Sequence, residues 1–236
     1  MLSLLSYNIR MGKKLGAILD WLASDVENKK LDIICFQEFP QSKVEFYANF
    51  FDKDHYDFSF SHSFKKRSNC YGQLTLINRN KLKIIDSRVV TLGLSQIESL
   101  VFKNKGERSG LIMKVEYKGK IFKLVNTHLT ALALNKRRLG QLARIIEDLD
   151  PAFPALLLGD LNYASLINKK TLLEFMASHR FENATQRMKT HRLLLIRQQI
   201  DFIFHRDCQV REVRVKKVDF SDHYPIFAKI SFLSNN

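Results

Sequence analysis

Leu15, Ile18, Leu19, Leu22 and Val26 recur at the three- and four-residue spacing of a helical stripe, which predicts an amphipathic helix from Lys13 to Glu27. A second stripe, Leu139, Leu142, Ile145, Ile146 and Leu149, predicts a helix over Asn135 to Leu149 that Pro151 and Pro154 end. A shorter helix is read at Thr171 to Ser178. Between these lie apolar runs rich in Ile, Val, Leu and Phe, bounded by turn residues and shorter than a stable helix. They predict strands at Leu2 to Ile9, Leu31 to Phe36, Leu74 to Asn78, Leu82 to Val90 and Gly110 to Tyr117. Further strands are read at Ile121 to Asn126, Ala155 to Leu158, Ile200 to Phe204, Val210 to Val218 and Ile226 to Phe232. Tyr117-Lys118-Gly119-Lys120 reads as a hairpin turn, and Ser234 to Asn236 as a fraying end. No segment repeats at a fixed period. Two layers of strands with helices outside them fit this order.

A chain of 236 residues, 45% of them hydrophobic, can bury a large core, and one domain spanning residues 1–236 is expected. Lys plus Arg number 38 against 24 Asp plus Glu, a formal charge of +14. That balance favours anionic partners: nucleic acid, phosphoinositides or an anionic membrane surface. Cys35, Cys70 and Cys208 are odd in number and lack paired ligand spacing, which argues against a disulfide framework and a zinc knuckle and for reduced thiols. The chain as given opens without a basic leader or long apolar segment. It is therefore expected to be cytoplasmic, without stable membrane insertion, and to act as a monomer.

Carboxylates recur where apolar runs end: Glu38, Asp160, Asp201 and Asp222, with Asn8, Asn162, His128 and His223 in similar positions. Any one of them reads equally well as a strand reaching solvent. As a set they offer hard oxygen ligands suited to Mg²⁺ or Mn²⁺ rather than zinc. Their order is informative: Ser6-Tyr7-Asn8-Ile9, Phe36-Gln37-Glu38, Asn126-Thr127-His128-Leu129, Gly159-Asp160-Leu161-Asn162, Ile200-Asp201-Phe202-Ile203 and Ser221-Asp222-His223-Tyr224-Pro225. Leu2 to Ile230, read through this succession, resembles the endonuclease/exonuclease/phosphatase superfamily of metal-dependent phosphoesterases. The resemblance implies an α/β fold, a four-layer α/β/β/α sandwich of two facing, mostly antiparallel sheets flanked by helices, with a cleft at one edge of the sheets.

Phosphoester hydrolysis needs an in-line nucleophile, neutralised phosphoryl oxygens and a stabilised leaving oxygen. By that chemistry and by the resemblance, Glu38 is the leading metal ligand, Asn8 orients the ion or coordinates it, and Asp222 completes the site or holds a second ion. His223 is a general base or a transition-state donor, with Asp201 holding its imidazole in one tautomer. Asp160 orients or deprotonates the attacking water, and Asn162 and His128 donate to the phosphate.

Named subfamilies are excluded by absences. Trp21, on the first helix, is the only tryptophan, which disfavours abasic-site endonucleases. Gln198-Gln199-Ile200-Asp201 stands where inositol phosphatases carry Trp-x-Asp-Arg, and the acid that deoxyribonuclease I-like enzymes give their first histidine has no visible counterpart. Lys65, Lys66 and Arg67, and the stretch Arg187 to Arg192 with Arg187 and Arg192 at its ends, are read as loop cations for substrate phosphates. Phe64, Tyr71 and Tyr163 are candidates for base stacking or for the core. The leading expectation is a nuclease or phosphodiesterase acting on nucleic acid. The alternative is a phosphatase or phosphodiesterase on a phosphoinositide or sphingolipid head group, disfavoured by the lack of a long hydrophobic insertion. A non-catalytic polyanion-binding module is the third.

Overall fold

A computed structural model describes residues 1–25, 30–47, 55–193 and 196–232. Val26 of the first stripe and the end from Ser234 onward lie outside these. Among the described residues one sheet has seven strands: β1 (Leu2–Asn8), β2 (Ile33–Pro40), β3 (Tyr56–Lys66), β4 (Asn69–Asn78), β6 (Asn104–Gly106), β14 (Gln209–Val215) and β15 (Ile226–Ser231). Their spatial order is β14-β15-β1-β2-β4-β3-β6. The other has six, β5 (Leu82–Thr91), β7 (Ser109–Tyr117), β8 (Lys120–His128), β9 (Ala155–Asp160), β10 (Glu182–Asn183) and β13 (Asp201–Arg206), ordered β10-β13-β9-β8-β7-β5. A separate hairpin pairs β11 (His191–Leu193) with β12 (Ile196–Gln198). The β1–β2 and β8–β9 pairs are parallel.

Among the described residues four α-helices flank these sheets: α1 (Leu15–Ser24), α2 (Gln96–Phe102), α3 (Asn135–Glu147) and α4 (Leu166–Ser178). Ile18, Leu19 and Leu22 of α1 pack on the seven-stranded sheet with Leu5, Tyr7 and Phe36. Leu142, Ile145 and Ile146 of α3 and Leu172 and Met176 of α4 cover the six-stranded sheet. Between the sheets lies a third apolar layer, with Leu4, Ile33, Cys35 and Ile226 facing Met113, Leu124, Leu158 and Ile203. The result is the α/β/β/α sandwich expected.

Successive side chains of a strand point to opposite faces, and both faces are covered here, so the strands read as near-continuous apolar runs. Parity then decides which residues meet between the sheets. Leu2 and Leu4 put the even positions of β1 inward, as do Phe122 and Leu124 for β8 and Leu156 and Leu158 for β9; Ile203 does so for the odd positions of β13. The same parity carries inward Asn8, Asn126, His128, Asp160 and Asp201. Asn126 and Gln37 join the sheets below the cleft: Gln37 donates to Asn126 Oδ1 at 2.8 Å, and Asn126 donates to the carbonyls of Phe36 and Leu74. These buried bonds between Gln37, Asn126 and two backbone carbonyls favour one alignment of the two sheets.

Several boundaries differ from expectation. The predicted strand at Leu31 to Phe36 runs on through Pro40, because a bulge between Phe36 and Phe39 lets it keep pairing with β4. The helix read at Thr171 to Ser178 begins earlier, at Leu166, where Ser165 caps α4 by accepting from the Asn168 amide. The Tyr117–Lys120 turn is as read, with Lys118 at φ 51° and Gly119 at φ 75°, the left-handed pair that suits a two-residue hairpin.

Candidate active site

Across the six-stranded sheet, Asp160 is paired in register with His128 on one side and Asp201 on the other. These three form one rung at the end where β8 and β9 leave the sheet. The register is enforced by Gly159, at φ 133°, where a Cβ would stand 1.9 Å from the Thr127 carbonyl oxygen. Oδ1 of Asp160 accepts from the Asn162 backbone N–H at 3.0 Å. Oδ2 accepts from Asn8 Nδ2 at 3.1 Å and lies 3.4 Å from His128 Nε2 and 3.7 Å from His223 Nε2. Burial raises the Asp160 carboxyl to about 7, against the pull of the His223 charge and with help from Asp201 and Glu38.

The two histidines are held in opposite states. Burial disfavours the His223 cation, but the Asp201 carboxylate, 3.0 Å from Nδ1 through both oxygens, outweighs it and lifts the imidazole to about 10. His223 therefore donates from both nitrogens at neutral pH. His128 Nδ1 lies 3.1 Å from Nη1 of Arg108, which can only donate. Nδ1 is thus an acceptor, and the proton sits on Nε2, facing Asp160. Burial, then the Arg108 and His223 charges, hold His128 well below its ordinary range.

Arg108 is itself buried and paired with Glu98 of α2. Glu98 also accepts from the Ala131 amide at 2.8 Å and from Asn104 at 3.3 Å. The acid that sequence could not locate for the first histidine thus acts through an arginine. Neither residue carries a local signal, since they come from different elements.

Glu38 sits in the β2 bulge at φ 58°, a left-handed conformation that turns its side chain from the strand's alternation toward the cleft. Its Oε1 lies 3.7 Å from His128 Nδ1. Burial raises its carboxyl, opposed by Arg108 and His223 and reinforced by Asp222. Asp222 pairs with Arg10 at 3.2 Å and accepts from Ser221 Oγ at 3.2 Å. Ser221 Oγ is also 2.9 Å from the Asn8 carbonyl, which ties the loop before β15 to β1. Ligand spacing for a metal also occurs in Asp160, Asp201 and His223, and in His191, Asp222 and His223. His191, which sequence reading passed over, bridges to His223 with ring centroids 4.6 Å apart.

All eight predicted catalytic and metal residues therefore come to one cleft. Asn162 does so at φ 57°, with its side-chain amide donating to the Leu129 carbonyl at 3.0 Å. The substrate cations are placed differently from expectation. Lys65 and Lys66 are not in a loop but on β3, paired with β4 and β6, and Arg67 occupies the turn that follows. Arg187 lies in a loop at φ 58°, whereas Arg192 belongs to β11 and pairs with Asp219 at 3.2 Å. Phe64, Tyr71 and Tyr163 are buried, so they pack and do not offer faces to bases. Phe64 stacks on Tyr71 and stands edge-on to His128.

A buried rung of acids and histidines at the open edge of a two-sheet sandwich is the arrangement of a phosphoester hydrolase. The family model described as endonuclease/exonuclease/phosphatase matches residues 5–223, and the chain belongs to that family. Solved structures of the same fold include TDP2 of D. rerio complexed with a single-strand DNA product, with a TM-score of 0.72 and 16% identity over 98% of each chain. The human Nocturnin catalytic domain with bound sulfate gives a TM-score of 0.76 and 17% identity over 98% of this chain and 93% of that one. A mannosyl-6-phosphatase of Bacteroides thetaiotaomicron gives 0.71 and 15% over 98% of this chain and all of that one. No curated protein sequence matches the chain significantly.

Proposed function

We infer that the chain is a divalent-metal-dependent phosphodiesterase whose leading substrate is nucleic acid. The observation that carries this is the convergence of Asn8, His128 and His223 on one oxygen of Asp160. Donors aimed at a single buried carboxylate oxygen are equally placed to receive a phosphoryl oxygen beside it. The charge of +14 favours a polyanion, and the structural likeness to TDP2 with its DNA product agrees with that choice.

Glu38, Asp222 and the side-chain oxygen of Asn8 would hold Mg²⁺ or Mn²⁺. They are hard oxygen donors, and burial, with a smaller contribution from the Asp222 charge, raises the Glu38 carboxyl, a cost that a cation would relieve. Such an ion, when bound, neutralises charge on the phosphoryl oxygens and stabilises the leaving oxygen. Asp160 accepts the proton of the attacking water, because His223 already carries both of its own. His223 and neutral His128 donate to the phosphoryl oxygens, and Asn162 retains one side-chain N–H for the same use. Lys65, Lys66, Arg67, Arg187 and Arg192 would contact backbone phosphates.

A head-group substrate is the second reading, favoured by exposed aliphatic side chains on elements tied to the site, such as Leu100 on the helix of Glu98 and Ile196 on the hairpin of His191. Plasmid DNA, single-stranded DNA, RNA, a chromogenic diester, phosphoinositides and sphingomyelin should be assayed side by side with Mg²⁺ and with Mn²⁺. Metal-restored cleavage of nucleic acid is expected. Turnover of lipid alone would replace the substrate reading, and full turnover in EDTA would overturn the metal-dependent one.

A further inference from the structure

Met1 and the β5 residues Ile85 and Val89 apart, most of the strongly exposed aliphatic side chains of the described residues lie on segments that join or follow the catalytic residues. Helix α2 is inverted: the one side chain it buries is Glu98, while Ile97, Leu100 and Val101 face solvent, Leu100 with 80% of its surface exposed. Leu134, 78% exposed, lies on the loop that follows His128. Across the cleft, Leu166 begins α4 just after Asn162 and is 82% exposed. Leu193 and Ile196 face each other across the β11–β12 hairpin, 54% and 65% exposed. That hairpin begins at His191, against His223. Three of these segments are tied to the site: Glu98 of α2 pairs with buried Arg108, Asn162 ahead of α4 donates to Asp160, and His191 of the hairpin bridges to His223. Alone, each residue would be unremarkable, but a grouped apolar surface on both rims marks an interaction face.

Cations accompany them. Lys136 and Arg137 share a hollow with Ile97 and Leu134. On the other rim, Leu166, Leu173 and Ile196 line a groove of about 890 Å³ with Lys169, Arg187, Lys189 and Arg197. The only acid there, Glu174, is paired with Lys170 at 3.8 Å. Nucleic-acid strands are gripped by cations together with aromatic faces, whereas the described residues of α2, the Leu134 loop, α4 and the β11–β12 hairpin expose chiefly leucine, isoleucine and valine, with Phe102 beside them. Aliphatic side chains interleaved with Lys and Arg are instead the composition of a surface that sits in the lipid interface.

We propose that the rim of the catalytic cleft docks on an anionic lipid surface, with the aliphatic side chains of α2 and of the β11–β12 hairpin in the interface and the adjacent lysines and arginines against the head groups. Among the described residues no helix is long and apolar enough to cross a membrane, so the docking is peripheral. It deepens the head-group reading, yet partition onto vesicles is measured without turnover and stands or falls apart from catalysis.

Sedimentation with phosphatidylcholine vesicles, with and without about 30 mol% phosphatidylglycerol, should be run at about 0.15 M salt. Two variants remove apolar surface and leave charge untouched: Leu100→Gln with Val101→Gln, and Leu166→Gln with Ile196→Gln. All four positions are solvent-exposed, so folding is not at risk. Wild type is expected to bind the anionic vesicles, and each variant to bind at least about tenfold more weakly with unchanged hydrolysis of a small soluble diester. Lys118→Glu, at the far end of β8, should stay within about twofold of wild type. Wild-type partition by both aliphatic variants would reduce the interaction to net charge and overturn the proposal. So would absence of binding to anionic vesicles, or an equal loss of single-stranded DNA binding in the same variants.

Discussion

His128 and His223 stand on opposite walls of one cleft, His128 at the end of β8 in the six-stranded sheet and His223 in the loop before β15 of the seven-stranded sheet. Both are buried and both point Nε2 at the same oxygen of Asp160. One is a cation lifted to about 10 and the other is neutral. Burial acts on both in the same direction, so the difference is made by what faces Nδ1: a carboxylate for His223 and a guanidinium for His128. The pairing explains how one cleft offers a donor with fixed charge and a donor without it, and it is the basis on which Asp160 is proposed as the proton acceptor.

The largest effect expected from breaking this arrangement is at its centre. Asp160→Asn and His223→Ala should each lower kcat by about 10⁴-fold with the fold intact by circular dichroism; a wild-type rate in either variant would remove that residue from the mechanism. In the metal-free protein the Asp160 carboxyl titrates above its ordinary value of 3.8, at about 7. The folded chain therefore holds a proton the unfolded one has released, and this group's contribution to stability falls as pH rises from about 4 to about 7. Melts in EDTA at both ends of that window should show the fall in wild type and a smaller one in Asp160→Asn.

Arg108→Met tests the neutral wall. It strands the Glu98 carboxylate inside the protein, for a loss of about 3–5 kcal/mol, while Glu98→Gln combined with Arg108→Met should recover most of it in urea denaturation. His128 should titrate closer to 6.5 in the double variant, as read by its ring proton resonances. An unmoved titration would mean that burial and the His223 charge set its state without Arg108.

On the charged wall, Asp201→Asn should lower kcat by about 10²-fold and shift the alkaline limit. The folded His223 value lies above its free value of 6.5, so its stabilising contribution is complete below that pH and is lost as pH rises through about 10. Without the Asp201 charge the loss should begin at lower pH in thermal melts. The smallest effect belongs to the outer cations: replacing Lys65, Lys66 and Arg67 by Ala should flatten the dependence of log affinity on log salt by roughly 0.7 to 0.9 for each phosphate contact removed. An unchanged slope would place the substrate elsewhere.

Much of this was legible because the strand signal is local. The apolar runs at Leu2 to Ile9, Ile121 to Asn126 and Ala155 to Leu158 displayed the strands in a few residues, with His128 and Asp160 just beyond two of them, and the motif order supplied the fold; which face turns inward was hidden, because these runs are apolar on both faces. β3 escaped although Phe58 and Phe60 alternate with Ser59 and Ser61, because small polar residues weaken the apolar run and Lys65 to Arg67 at its end were read as a loop. The serines are the inward face, where Ser61 and Ser109 both donate to Gln73. The Glu98–Arg108–His128 chain was illegible, since it joins residues whose meeting depends on how α2 sits against β7. The bulge that aims Glu38 was equally hidden, because a left-handed residue without glycine leaves no mark in sequence.

Gly159 gives the rung a historical meaning. With no room for a side chain at that crossing, β8, β9 and β13 behave like a reading frame: adding or deleting one residue within them shifts every later side chain to the opposite face and scatters His128, Asp160 and Asp201 at a stroke. The connections after His128 and after Asn162 carry no such constraint. In a library of random insertions and deletions, survivors should therefore differ in the length of the segments around the cleft and never in the strands beneath it. New substrates would be reached by lengthening and trimming loops over chemistry that cannot move.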